Sequence, residues 1–235
     1  MLEPGYYNMD GIKALAQFPD NFFEIAVVDP PYGRGYDGGN NRYTVQTRKD
    51  GTKRVINSGD YKKCDWDREP PGKEYFQELI RVSQNQIIFG CNYFDFPLPG
   101  GRIVWDKCND GSDQSGAEIA YNSLNKRVDV FRYMWRGMFQ GKSIEEGTTQ
   151  QGNKRKNERR IHPTQKPVNL YRWIARQYIK PGWKVIDTHV GSASSLIAYH
   201  EAGLDFWGFE IDKYMYDISL QRYEEETAQI TIFDL

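Results

Sequence analysis

The chain has 235 residues, with 31 Lys and Arg against 32 Asp and Glu, so its formal net charge is −1. This length suits one α/β domain with an insertion, and an apolar fraction of 39% is sufficient for a buried core. The near-zero charge excludes a uniformly basic protein that wraps nucleic acid, and a mean hydropathy of −0.75 without a long apolar run excludes a membrane span. The three cysteines lack metal-ligand spacing and the first ten residues lack a secretory signal, so we expect a cytoplasmic protein with free thiols.

Short apolar runs alternate along the chain with segments of helical periodicity. The apolar runs predict buried strands at residues 25–28, 86–89, 102–105, 184–186 and 206–209. The periodic segments predict helices at residues 73–83, 167–179, 194–201 and 213–225. Such alternation is typical of a mostly parallel sheet that carries helices on both faces.

The charges are distributed unevenly along the chain. Residues 34–68 hold nine basic and five acidic residues, a net charge of +4, and residues 141–166 hold seven and three, again +4. Residues 199–235 hold nine acidic and two basic residues, a net charge of −7. Each basic run alone is equally well explained as a solvated loop, but two of them in an otherwise neutral or acidic chain favour an anionic polymer as partner.

The sequence DPPYG begins at Asp29, directly after the first predicted strand. Pro30 and Pro31 lack N–H groups and hold an extended path, which leaves the carbonyls of this tip available. The Asp29 carboxylate adds an acceptor and Tyr32 adds a flat aromatic face. Together these groups suit a planar ring with an NH₂ group, such as a nucleobase, and the basic segment that follows disfavours the alternative of a merely rigid turn.

The sequence HPTQKP begins at His162, at the start of a predicted helix. The Thr164 hydroxyl and the Lys166 ammonium, together with the amides of a helix N-terminus, can hold a small carboxylate. A single histidine is more often structural than catalytic, so no catalytic role is predicted for His162.

A strand at residues 184–186 leads into the small-residue turn DTHVGSAS and then into a predicted helix. This order is typical of the first strand–helix turn of a nucleotide-binding sheet, although Gly191 is its only glycine and a phosphate site is poorly supported. Glu210 follows about 20 residues later at a strand end, where a carboxylate commonly binds ribose hydroxyls. The pair predicts a cofactor that contains a nucleoside.

Taken in this order, DPPYG, HPTQKP, DTHVGSAS and GFEID resemble the amino-group DNA methyltransferases that use S-adenosylmethionine. The catalytic motif precedes the cofactor motif, as in their circularly permuted β class, and residues 103–111 and 131–138 are similar to compact phage and prophage adenine methylases. The resemblance implies a Rossmann-like methyltransferase fold of permuted motif order. It also implies a single domain over residues 1–235, with a flexible basic loop at 34–68 and a target-recognition insertion at about 107–160.

The resemblance implies roles for the DPPY residues. Asp29 and the Pro30 carbonyl would accept hydrogen bonds from the target NH₂ group, Pro31 would hold the turn, and Tyr32 would stack on a flipped base. In the same way Asp10 would contact the cofactor adenine, and Glu210 its ribose. The full cofactor-binding set that we predict for S-adenosylmethionine, without a metal, is Asp10, Asp29, His162, Thr164, Lys166, Asp187, His189, Gly191, Ser192, Glu210 and Ile211.

Two positions depart from the family pattern in the cofactor turn. His189 stands where a Phe is usual, and Ala193 stands where a second Gly is usual. If the φ angle of Ala193 is positive, its methyl group adds strain that Gly would avoid. A relative that binds DNA but has impaired catalysis is therefore one alternative.

We predict methyl transfer to N6 of adenine in DNA, because DPPY accompanies adenine more often than cytosine. The N4 group of cytosine is the close alternative, and an RNA base or a protein side-chain amide could use the same acceptors. A nicotinamide oxidoreductase is disfavoured by the missing GxGxxG sequence. The expected partners are DNA and a second copy of the chain, with no membrane.

Overall fold

The computed structural model describes residues 1–35, 52, 67–110, 115–136, 139–141 and 157–228, and the backbone alone of 43–47, 53–57 and 229–233. Much of the predicted basic loop at 34–68, including Cys64, lies outside these ranges, as do residues 111–114, 137–138 and 142–156 of the predicted recognition insertion. No helix among the described residues is long and apolar enough to cross a bilayer.

The described residues form an α/β structure around an eight-stranded sheet. The strands are β1 (Gly5–Asn8), β2 (Phe23–Val28), β3 (Tyr43–Thr47), β4 (Lys53–Asn57), β5 (Ser83–Phe89), β6 (Gly101–Asp106), β7 (Ala117–Asn122), β8 (Val128–Arg132), β9 (Met134–Arg136), β10 (Phe139–Gly141), β11 (Lys184–Asp187) and β12 (Asp205–Glu210). The helices are α1 (Gly11–Leu15), α2 (Lys73–Val82), α3 (Val168–Tyr178), α4 (Ser194–Glu201) and α5 (Lys213–Phe233).

The spatial order of the large sheet is β1-β12-β11-β2-β5-β7-β6-β8. The first five strands in this order run parallel, β7 is antiparallel to both of its neighbours, and β8 is parallel to β6. Separate two-stranded hairpins are formed by β3 with β4, inside the basic segment, and by β9 with β10.

Apolar sequence runs explain the central strands. In β2 the run FEIAVV is buried almost throughout, as expected for a parallel strand that is covered on both faces. The helices bury a single stripe instead, and in α2 this stripe consists of Tyr75, Phe76, Leu79 and Val82. Helices α1 and α2 pack on one face of the sheet, whereas α3 and α4 pack on the other.

The strand order of the sheet reverses between β11 and β2, because the connections that leave these two strands run to opposite sides of the sheet. Helix α2 connects β2 to β5 on one face, and α4 connects β11 to β12 on the opposite face. In open α/β sheets the crevice at the carboxyl ends of two such strands is the usual ligand site. The DPPYG turn and the DTHVGSAS turn therefore meet there, although they lie more than half the chain apart.

The structure confirms the five predicted strands and four predicted helices, with α5 longer than expected. It adds β1, α1, β7 and β8, and the hairpins β3–β4 and β9–β10, which the sequence did not reveal. Strands β7 and β8 occupy residues 117–132 within the predicted recognition insertion, and they belong to the central sheet. These strands are short and lie towards the sheet edge, so their sequences lack a long apolar run. The recognition role of the remaining insertion stays a prediction.

Candidate active site

The DPPYG turn is stabilised by a hydrogen bond within the turn and by hydrogen bonds to a distant segment. The Tyr32 hydroxyl donates to Oδ1 of Asp29 at 2.6 Å. The backbone N–H groups of Tyr32 and Gly33 donate to Oδ1 of Asp67 at 2.8 and 3.0 Å. Asp67 is buried and lies at the far end of the basic segment, so this segment begins and ends at the turn.

The Tyr32 ring packs in an aromatic cluster that follows β5. It stacks on Tyr93 with 5.0 Å between ring centroids and meets Phe94 edge-on at 6.2 Å. Gly90 has a φ of +68°, and a Cβ atom there would lie 2.1 Å from the Tyr32 ring. Glycine at this position therefore makes room for the ring.

Lys166 joins the DPPYG turn to β7. Its ammonium donates to Oδ2 of Asp29 and, at 3.1 Å, to the Tyr32 hydroxyl oxygen. The same ammonium lies 3.1 Å from Oε2 of Glu118, whose Oε1 accepts from Lys107 at 2.6 Å. The Lys166 side chain is only 4% exposed, so these contacts replace most of its hydration.

Burial and charge act in opposite directions on these groups. Burial raises the pKa of Asp29, and the Lys166 charge opposes that rise. Burial would also raise the pKa of Glu118, but the charges of Lys166 and Lys107 outweigh it and lower this pKa to about 2. For Lys166 burial lowers the pKa, but Asp29 and Glu118 outweigh burial, so its pKa is raised. Glu118 and Lys166 are therefore ionised at neutral pH.

The DTHVGSAS turn is organised by Asp187 at the end of β11. Its Oδ1 accepts from the His189 backbone N–H at 3.0 Å, and its Oδ2 accepts from the Ser195 hydroxyl at 2.6 Å. Burial raises the pKa of Asp187 to about 7. Ala193 is fully buried with a φ of 61°, in the left-handed region, so the condition for strain at this position is met.

The ends of β1 and β12 bring Asp10 and Glu210 to the same edge. The Glu210 carboxylate accepts from the backbone N–H groups of Gly191 and Asp212, both at 2.9 Å. Asp10 caps α1 by accepting from the Ile12 N–H at 2.9 Å. Burial raises the pKa of Glu210.

The HPTQKP segment lies close to these groups. Nδ1 of His162 accepts from the Thr164 N–H at 3.3 Å, and burial lowers the pKa of His162 to about 4, helped by the Lys166 charge and opposed by Asp212. Burial likewise lowers the pKa of His189 to about 4. The apolar side chain of Ile211 is 65% exposed beside Glu210.

An ion pair between Arg222 and Glu158 connects the HPTQKP segment to the DTHVGSAS turn. Nη2 of Arg222 lies 2.7 Å from Oε1 of Glu158, and Nη1 of Arg222 donates to the Ser192 carbonyl oxygen. Oε2 of Glu158 accepts from the Val168 N–H at 3.0 Å, at the start of α3. Nε2 of Gln165, within HPTQKP, donates to Oε1 of Glu158 at 2.9 Å.

The predicted residues are thus gathered at one edge of the sheet. Lys166, which was predicted with the cofactor set, pairs with Asp29, which was predicted in both the catalytic and the cofactor set. Sequence reasoning missed Asp67, Glu118, Arg222 and Gly90. A polar side chain or a glycine far from any motif gives no sequence signal by itself, so only the fold reveals these four.

A parallel sheet with its crevice between β11 and β2, and with DPPYG and the cofactor turn at that crevice, has the Rossmann-like architecture of methyltransferases. Residues 99–221 match the family described as DNA methylase, which is more than half of the chain. The protein therefore belongs to this DNA methylase family.

The individual proteins that the chain resembles have low sequence identity to it. The Escherichia coli (strain K12) protein named "Putative methylase YubD" is 24% identical over 213 residues, which is 86% of this chain and 82% of that protein. The M1.HpyAVI–SAM complex has a TM-score of 0.50 at 15% identity, covering 92% of this chain and 98% of that chain. The PvuII DNA methyltransferase (cytosine-N4-specific) has a TM-score of 0.52 at 11% identity, covering 98% and 93%. Both structural matches show the shared fold.

Proposed function

We propose that the protein transfers a methyl group from S-adenosylmethionine to the exocyclic N6 amine of adenine in DNA. The observation that carries this proposal is the DPPYG turn at the crevice, where the half-buried Asp29 carboxylate and the Tyr32 ring lie side by side. Membership of the DNA methylase family supports the substrate class.

The edge formed by β1, β11 and β12 fits this cofactor. A Cβ atom on Gly191 would meet no heavy atom within 4 Å, so the turn faces open space. We assign Asp10 to the adenine, Glu210 to the ribose hydroxyls, and Thr164 and Ser192 to the methionine carboxylate. When bound, S-adenosylmethionine supplies an electrophilic methyl group on a sulfonium centre.

The residues of the remaining cofactor set have supporting parts in this proposal. Asp187 orders the turn through its two acceptor oxygens, as its contacts to His189 and Ser195 indicate. His162 and Ile211 border the same edge. Lys166 acts chiefly on Asp29, because its ammonium is already shared between Asp29 and Glu118.

Asp29 and the Pro30 carbonyl orient the target amine. An aryl amine is a weak nucleophile because its lone pair is delocalised into the ring. Two fixed acceptors for its N–H groups favour a pyramidal nitrogen whose lone pair is aimed away from the ring, and such positioning can contribute several kcal/mol. Tyr32 stacks on the flipped base and returns about 1–3 kcal/mol of the cost of flipping.

A methyl-transfer assay tests the proposal. Purified protein is incubated with labelled S-adenosylmethionine and duplex DNA, the DNA is digested, and the modified nucleosides are separated. We expect N6-methyladenine from the unaltered protein and a loss of at least 100-fold in Asp29→Ala. Asp95→Asn, which changes a fully exposed carboxylate, is the matched control and retains the activity.

The same assay separates the alternatives. N4-methylcytosine in place of N6-methyladenine would move the proposal to cytosine, a base whose amine the Asp29 and Pro30 acceptors can also bind. No methylated base, together with intact DNA binding, would instead indicate a catalytically impaired relative.

A further inference from the structure

Four charged side chains form a continuous row that begins at the catalytic turn. Asp29, Lys166, Glu118 and Lys107 follow one another through ion pairs, with 3.1 Å between Lys166 and Glu118 and 2.6 Å between Glu118 and Lys107. They come from four separate places in the chain: the DPPYG turn, HPTQKP, β7 and the residue after β6. We call this set the charge row.

The side chains of the charge row are between 4% and 23% exposed, so their partial removal from water carries a free-energy cost. A pair of opposite charges that is removed from water gains little net stability, because desolvation offsets the attraction. Trp105, which lies opposite Glu118 in the β6–β7 pairing, is itself deeply buried, so an apolar side chain has ready neighbours here. A purely structural contact between these elements therefore needs no ions.

The groups that face Asp29 come from every element around it. Among the described residues, Lys166 is the cation whose charge acts on Asp29. The acids that act on Asp29 are Glu118 and Asp187. The remaining titratable neighbours are the hydroxyls of Tyr32, Tyr75 and Tyr171. Lys166 is thus the group that favours the carboxylate form of Asp29, and Glu118 is the group that anchors Lys166.

We propose that Glu118 is a positioning residue that holds the Lys166 ammonium against Asp29, so that Asp29 stays an oriented acceptor for the target amine. This inference rests on the proposed function and adds a residue to it. Glu118 touches neither substrate nor cofactor in this account; it acts through Lys166. Lys107 completes the row, because its ammonium pairs with Oε1 of Glu118 while Lys166 pairs with Oε2.

Charge coupling of this kind has a signature that packing lacks. Removing Lys166 raises the pKa of Asp29, because burial then acts without a cation. Removing the Glu118 charge lowers the pKa of Asp29, because a like charge is lost while Lys166 stays. Loss of a structural contact would not displace the titration in these two opposite directions.

The titration of Asp29 can be followed directly by ¹³C NMR of the side-chain carboxyl carbon in the protein alone. Its signal is assigned by its disappearance in Asp29→Asn. We expect Lys166→Met to raise the midpoint by roughly one to three pH units, and Glu118→Gln in that background to bring it back down by about one unit. Glu74→Gln, on the exposed side of α2, is the control and leaves the midpoint unchanged.

Rates at saturating DNA and cofactor complete the experiment. In Glu118→Gln we expect the single-turnover rate constant to fall about tenfold, with cofactor and DNA affinities within twofold of the unaltered protein. Lys166→Arg keeps a cation and should restore the midpoint that Lys166→Met displaces. The inference is overturned if the Asp29 midpoint in Lys166→Met equals that of the unaltered protein. It is also overturned if adding Glu118→Gln to Lys166→Met leaves the midpoint unchanged. An unaltered protein without methyl transfer but with the shifted midpoints overturns the proposed function alone.

Discussion

Ala193 carries the clearest backbone strain in the cofactor turn. Its left-handed φ of 61° costs an alanine about 1–2 kcal/mol, whereas glycine adopts it freely. Ala193→Gly also removes a fully buried methyl group, worth about 0.8 kcal/mol. We therefore expect the free energy of unfolding to change by less than about 1 kcal/mol, as measured by urea denaturation.

Ala198 provides the comparison for that measurement. It is equally buried but lies inside α4 with ordinary helical geometry. Ala198→Gly loses the methyl group and helix propensity without relief of strain, so we expect a destabilisation of about 2 kcal/mol. Equal losses at both positions would contradict strain at Ala193.

Gly90 makes a second prediction about a single residue. In Gly90→Ala the new methyl group collides with the Tyr32 ring, so Tyr32 must move and methyl transfer should fall at least tenfold. Gly182→Ala shares the positive φ, at +79°, but its Cβ atom meets nothing within 4 Å. The two variants should lose similar backbone stability in thermal unfolding, whereas only Gly90→Ala loses the transfer rate.

His189 links the cofactor turn to pH. Its pKa of about 4 in the folded protein is below the ordinary value of 6.5, so the unfolded chain binds a proton first as the pH falls. The stability that neutral His189 contributes is present above pH 6.5 and is lost as the pH falls towards 4. Relative to His189→Phe, the protein should lose about 2 kcal/mol between pH 7 and pH 5.

Urea denaturation at both pH values measures this difference. His200→Phe is the matched control, because His200 lies exposed on α4. A His189→Phe variant with the same pH dependence as the unaltered protein would contradict the assignment of a neutral, half-buried ring.

The sequence predicted those site residues that belong to local motifs. It missed the residues that contact them from distant parts of the chain. Asp29 and Tyr32 were identified because their neighbours form a motif. Asp67 lies 35 residues from Tyr32 and Glu118 lies 48 residues before Lys166. Nothing near either acid distinguishes it from a solvated surface carboxylate, since its partner is fixed only by the fold.

Among the elements, the Glu158–Arg222 pair joins α5 to the start of α3 and to the cofactor turn. Arg222→Met leaves a buried carboxylate without its cation, which costs about 3 kcal/mol. In that variant burial raises the pKa of Glu158 further, so the penalty is small where Glu158 is protonated and grows as the pH rises through that pKa. Unfolding free energies at pH 5 and pH 8 should show the larger loss at pH 8.

A double variant distinguishes ion pairing from packing at this junction. Arg222→Met with Glu158→Gln has no uncompensated charge and keeps an amide for the neighbouring contacts. It should therefore be at least about 1 kcal/mol more stable than Arg222→Met alone. Additive losses from the two substitutions would show that the charges are not coupled.

The elements themselves were predictable where their residues are buried on a regular pattern. Strand β2 and helix α2 are examples, because an apolar run and a buried stripe are both visible in the sequence. Strand β8 alternates exposed and half-buried residues, with Val128 and Val130 exposed, so its pattern resembles a surface loop. Its pairing with β6 depends on a neighbour that sequence periodicity does not specify.

For the whole molecule, the uneven distribution of basic and acidic residues along the chain predicts how DNA binding depends on salt. Arg34 is exposed at the start of the basic segment, next to the catalytic turn, and its guanidinium lies over the Tyr93 ring. If Arg34 contacts a phosphate, Arg34→Gln should reduce the slope of log affinity against log salt by about 0.9. Lys180→Gln, at the opposite edge of the sheet before β11, is the control and should leave the slope unchanged.

The seam between β11 and β2 has a consequence for how such an enzyme could be divided. The Lys184 N–H donates a hydrogen bond to the carboxylate of Glu24, 160 residues away, so the seam joins segments that lie far apart along the chain. Residues up to β10 include the DPPYG turn, and residues from α3 onward include the DTHVGSAS turn. Because the proposed function needs both turns, two separately synthesised fragments divided between β10 and α3 should each be inactive and should gain activity only on reassembly.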